Sequence, residues 1–156
     1  MPNWCLNNVT INHDDPAKLN ELLEAYKRGE LMEHFLPTPK DENGELDKDW
    51  YDWRCDNWGT KWDVGGETEF VDRRDHNTVV LSFDSAWAPP IMFYEFMKRR
   101  HGFDIRASYF EPGMAFCGEW IDGMDNYYDD GDWHDFPDHL IEEYNMYEFF
   151  EEDEVA

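Results

Sequence analysis

The chain is predicted to be an α+β protein: an antiparallel sheet with two helices on one face, then an acidic extension with a helix of its own. Three observations predict it. Apolar residues alternate at period two in three stretches, the strand signature: Cys5, Val9 and Ile11; Val79, Leu81 and Phe83; and Phe103, Ile105, Ala107 and Tyr109. Between them, two stretches repeat apolar residues at helical spacing and carry end signals. Charge then divides the chain. All 13 Lys and Arg residues lie at or before Arg106, whereas residues 119 to 156 hold 15 acids and no Lys or Arg.

Residues 3 to 12 form the first predicted strand, although Asn7 interrupts its apolar face. Asp15-Pro16 supplies an N-cap and a first-turn proline. Leu19, Leu22, Leu23 and Tyr26 follow at helical spacing, and Gly29 ends the helix. Residues 30 to 49 read as a connection. The tryptophan-rich stretch Trp50 to Gly66, WYDWRCDNWGTKWDVGG, reads as a short helix or turn closed by Gly65-Gly66. Residues 67 to 84 read as a hairpin around the polar turn DRRDHN. Pro89-Pro90 introduces a second helix with Met92, Phe93, Phe96 and Met97 on its apolar side. Lys98, Arg99, Arg100 and His101 suit the negative end of that helix dipole, and Gly102 stops it. The strand 103 to 110 comes next, and AFCGEWI offers another. Strand, helix, connection, strand, strand, helix, strand is the ferredoxin-like order.

Two units are expected. Residues 1 to 121 form the ferredoxin-like domain, and residues 122 to 156 an acidic aromatic extension ending in an amphipathic helix. Within the extension, MDNYYDDGDWHD reads as irregular. Phe136-Pro137-Asp138 opens the last helix, with Leu140, Ile141, Tyr144, Tyr147 and Phe150 on one side. The final EEDEVA reads as a fraying end.

Composition narrows function more than any motif. With 37 acids and 13 bases the formal charge is −24. That opposes direct binding to nucleic acid or anionic membranes, whose affinity rests on Lys and Arg meeting phosphate. Disorder is excluded for most of the chain by its aromatic content of 17%. Cys5, Cys55 and Cys117 form no CxxC pair, and no signal peptide precedes them, which predicts buried free thiols in a cytoplasm. No apolar run approaches membrane-spanning length.

Several blocks resemble a family of phage and plasmid proteins with a YubB-type ferredoxin-like domain. They are MPNWC with Leu6 and Asn7, WYDWR at 50 to 54, NWGTKWD at 57 to 63, LSFDSAWAPP at 81 to 90, and EPGMAFCGEW at 111 to 120. The resemblance implies the ferredoxin-like fold and a phage or mobile-element origin. It carries over no activity and no catalytic residues, and it stops short of the acidic extension.

The candidate sites follow from residue chemistry. Trp53, Arg54, Trp58 and Trp62 read either as a structural plug or as the walls of a ligand pocket; core packing is the commoner use of such rings. Ser82, Ser85 and Ser108 lack a nucleophile-elbow context, and Cys55 lacks an identifiable His partner. DNYYDDGDWHDF imitates a calcium loop, but aligning Gly131 with the sixth position puts Tyr128 at the third and Pro137 at the twelfth. No metal and no cofactor are expected. The acidic extension reads as a solvated tail or as a negative surface for a basic protein. In the second reading Asp125, Tyr127, Tyr128, Asp129, Asp130, Asp132, Trp133 and Asp135 are the contacts. The function expected is that of a non-enzymatic, acidic nucleic-acid mimic in a host cell, blocking the basic site of a defence or DNA/RNA-binding protein; the alternative is a small ligand-binding or enzymatic ferredoxin-like domain with the tryptophan-rich segment as its pocket.

Overall fold

A computed structural model describes residues 3 to 67, 69 to 129 and 131 to 150. It is a mixed α/β structure around one antiparallel sheet. Strand β1 is Trp4–Asn12, β2 Phe70–Arg73, β3 Thr78–Ala86, β4 Asp104–Glu111, β5 Phe116–Ile121 and β6 Met124–Tyr128. Their order across the sheet is β2-β3-β1-β4-β5-β6, and every neighbouring pair is antiparallel. The sheet thus has six strands where the ferredoxin-like order has four. Strand β5 falls in AFCGEWI, offered as a further strand, and β6 falls in the stretch expected to be irregular.

Register explains the first core. Val9 lies between Leu81 and Ala107, and Ile11 between Val79 and Ile105, so all six point to one face. Helix α1, Pro16–Lys27, covers that face with Leu19, Leu22, Leu23 and Tyr26. Asp15 caps it by accepting from the Ala17 N–H at 2.9 Å. Helix α4, Ile91–His101, adds Phe93, Tyr94 and Met97 to the same core. Tyr94, not Met92, fills the inner position, and Met92 is 41% exposed. Asn7 is buried among these strands. Its amide donates to the carbonyls of Cys5 and Phe83 and to Ser85 Oγ at 2.9, 3.3 and 2.9 Å, which offsets the desolvation of the donor.

The connection expected at residues 30 to 49 contains a helix, α2, Leu31–Phe35. Its own N-cap residue makes no side-chain cap bond. Asp63 supplies the cap from a distance, accepting from the N–H groups of Met32, Glu33 and Val64 at 2.8 Å each. Burial pushes the Asp63 carboxyl from 3.8 up to about 6; the three N–H groups oppose that rise and the Glu33 carboxylate adds to it. A raised folded pKa favours the protonated form. The stability it contributes is therefore full below about pH 4 and lost as pH rises through about 6. Measured by urea unfolding, the parent should lose stability relative to Asp63→Asn between pH 4 and 7. At pH 7 the variant tests the cap itself, and Asp63→Ala, which orphans three N–H groups, should cost more than Asp63→Asn.

Helix α3, Trp50–Asn57, carries the tryptophan block against the same core. A second apolar cluster lies on the opposite face. There Leu6, Phe110 and Cys117 pair across β1, β4 and β5. They are covered by Trp133, Phe136, Leu140, Ile141, Tyr144 and Met146 from the C-terminal segment. That segment holds helix α5, Asp138–Glu143, and a single turn, α6, Tyr147–Phe150. Asn145, with φ of 48°, breaks the one long helix expected here. Tyr147 is 48% exposed rather than buried with its neighbours. No described helix is long and apolar enough to cross a membrane.

Candidate functional site

The acidic extension is built on the β5–β6 hairpin. Asp122-Gly123 forms its two-residue loop, with φ of 53° and 82°. Two positive φ angles in a row give the primed turn whose twist matches paired strands. The hairpin returns β6 as an edge strand, and all five of its residues are exposed. Tyr127 and Tyr128 are 51% and 37% exposed. Tyr127 packs on Phe116 with ring centroids 5.4 Å apart. The Tyr109 ring crosses Gly118 and its hydroxyl donates to Asp125 at 2.5 Å. A Cβ on Gly118 would meet that hydroxyl at 2.3 Å and the Asn126 carbonyl at 2.4 Å, so only glycine lets this strand pair close.

Beyond the strand, Asp129, Asp132 and Asp135 are exposed, while Asp130 lies outside the described residues. Asp132 caps a 3-10 turn, Trp133–Asp135, accepting from the His134 N–H at 3.0 Å. This turn aims Trp133 inward. Its ring is 8% exposed, stacked with Phe150 at 5.3 Å and edge-on to Tyr147 at 5.1 Å. Of the residues expected to make contacts, the two tyrosines and the acids stay on the surface and Trp133 belongs to the second core.

Docking of α5 creates an acidic region that sequence reasoning missed. The Glu143 carboxylate accepts from Asn8 Nδ2 at 3.0 Å and from the Ser108 hydroxyl. Asn8 is fixed in turn by the Ser82 hydroxyl at 2.6 Å, and Ser108 by Tyr144 at 2.8 Å. Glu119 on β5 is held by His139 of α5. A cleft of about 160 Å³ opens among Asn8, Thr10, Arg106, Ser108, Glu119 and Glu143. A neighbouring one of about 420 Å³ carries Glu69, Asp84, Glu143 and Glu148. Burial raises the carboxyl of Glu69, helped by Asp84, and raises that of Asp84. The legible signal was the period-two run of polar residues behind the core on β1 and β4, Asn8, Thr10 and Asn12 beside Asp104, Arg106 and Ser108, with Leu6 and Phe110 left apolar at its end.

The tryptophan block is spent on packing. Trp58 is fully buried and its indole N–H donates to the Leu36 carbonyl at 2.9 Å. The Arg54 guanidinium lies over the rings of Trp50 and Trp58 at 5.1 and 4.6 Å. It also donates to Thr38 Oγ1 and to the Lys61 carbonyl at 2.9 and 3.0 Å, and pairs with Glu33 at 3.7 Å. Trp53 packs edge-on to Trp58. Trp62 departs from the buried plug: it is 40% exposed, with Lys61 over its ring at 4.5 Å.

Nucleophilic chemistry finds little support. Ser85 donates to the Ala88 carbonyl at 2.7 Å, and Ser82 is committed to Asn8. Burial raises the Cys55 thiol, which disfavours the reactive thiolate. Among the described residues no three His, Cys, Asp or Glu side chains gather as a metal site.

No family model and no curated protein matches the chain. It is similar to the crystal structure of protein api92 from Yersinia pseudotuberculosis, of family DUF1281, with a TM-score of 0.47 and 11% identity; the match covers 85% of this chain and 99% of that one.

Proposed function

We propose that this chain is a non-enzymatic interaction protein whose acidic surface occupies the basic, nucleic-acid-binding site of another protein. One observation carries the reading: Glu143 and Asp125 on this surface are ordered by neutral donors, and among the described residues no Lys or Arg pairs with them. Asn8 and Ser108 hold Glu143, and Tyr109 holds Asp125. Their positions are fixed while their charge stays available, as a stand-in for a phosphate array requires. Complementary fields of this kind speed association and select the partner.

The neighbour order β2-β3-β1-β4, with α1 and α4 on one face, supports a ferredoxin-like plan for the first four strands. In it the second face is free to carry the extension. The resemblance to phage and plasmid proteins supports a partner among bacterial defence or DNA/RNA-binding proteins.

Replacing Asp129, Asp132 and Asp135 together by Asn tests the surface. Asn caps the Trp133 turn about as well as Asp, so folding should persist. Association with a labelled oligolysine should slow and its dependence on salt become shallower, because exposed charges act chiefly on the on-rate. Unchanged rates at every salt concentration would remove the extension from the mechanism.

A further inference from the structure

We propose that β6 is an acceptor edge on which a basic, extended segment of the partner adds as a seventh strand. This rests on the acidic-surface reading and adds a backbone geometry to it. In a two-residue hairpin the residues flanking the loop exchange both backbone bonds, and such pairs recur at every second residue. Ile121 and Met124 flank the loop, and Asn126 and Tyr128 follow in step opposite Glu119 and Cys117. Their N–H and C=O groups turn towards β5. Those of Asp125 and Tyr127 turn away from the sheet. Among the described residues, neither makes a backbone bond outside the sheet ladder.

An open edge pairs with any strand unless something selects. Here charge selects. Asp122 in the loop, Asp125 on β6 and Asp129 just after it are exposed, so a second copy of β6 would meet its own charge. Among the described residues the opposite edge, β2, offers a neighbouring copy one uncompensated cation, Arg73, and no alternating row of them. Arg73 donates to Asn20 Oδ1 and to the carbonyls of Asp75 and His76, and Arg74 is paired with Asp72 at 3.0 Å. A strand with Lys or Arg at alternate positions fits instead. Its backbone would bond Asp125 and Tyr127, its cations would face the acids, and the exposed Tyr127 ring gives them a π face.

The probe is a seven-residue capped peptide with Lys at alternate positions and Thr or Val between. Its controls carry N-methyl groups on every second backbone nitrogen, one control for each alternation. All have equal charge. The unmethylated peptide and one control should bind alike. The other control, methylated on the face that meets β6, should bind at least about tenfold more weakly. Hydrogen exchange at the Asp125 and Tyr127 amides should slow on addition of the unmethylated peptide. If all peptides bind equally, strand addition is wrong and the acidic surface stands alone. If none binds, both readings fail. Protection at β2 instead of β6, or sedimentation showing two copies already joined through β6, also overturns the proposal.

Discussion

Trp58→Ala should lower stability by about 3–5 kcal/mol, the range for removing a large buried aromatic ring. The ring is fully buried, its N–H donates to Leu36, and the Arg54 guanidinium lies against its face. The Trp58 carbonyl also accepts from the Phe93 N–H at 3.2 Å, joining the block to the first turn of α4. Truncation leaves a cavity, an unpaired carbonyl and a half-unstacked cation together. Trp62→Ala should cost far less, because that ring is 40% exposed. Urea unfolding of the two variants checks the contrast. Equal small losses would mean that the block is not a structural plug.

The second large effect is expected at Trp133. Truncation to Ala should destabilise by about 3 kcal/mol, mostly by unseating residues 133 to 146 from the sheet. Cys117 reports this locally. It is fully buried under the segment, and burial pushes its thiol up to about 12. In a Cys55→Ser background, Trp133→Ala should speed labelling of Cys117 by a thiol reagent under native conditions. Trp58→Ala should act mainly through global unfolding and expose Cys5 and Cys117 together. A Cys117 that stays protected in Trp133→Ala, with unchanged melting, would contradict the docking of α5. Any loss of partner binding in this variant is expected to follow from lost order in Glu143 and its neighbours, since Trp133 itself faces inward.

Much of the first layer was legible because burial on one face imposes a period. Val9, Ile11, Val79, Leu81, Ile105 and Ala107 show it, and Asp15-Pro16 and Gly102 punctuate the helices. Strand β6 was not legible for the converse reason. All its side chains are exposed, so nothing imposed alternation on MDNYY. Its signal was the Asp122-Gly123 turn, a strong hairpin dipeptide hidden in an acidic run. Asn7 misled because its type argues against a core that its amide bonds permit. Helix α2 was missed because its cap, Asp63, sits far along the chain, where local capping rules do not look. The acidic contact residues were named for their chemistry. Trp133 was named with them because sequence does not say which way a ring turns. The carboxylates of Glu143 and Glu119 became a surface only once α5 lay on the sheet.

On this reading the acidic surface competes with nucleic acid for a basic protein site. Immobilised parent protein should capture from a bacterial lysate a protein that is released both by moderate salt and by added double-stranded DNA or RNA. The variant with Asn at 129, 132 and 135 should capture markedly less of it. Capture that neither nucleic acid nor salt reverses, equal for parent and variant, would contradict the claim.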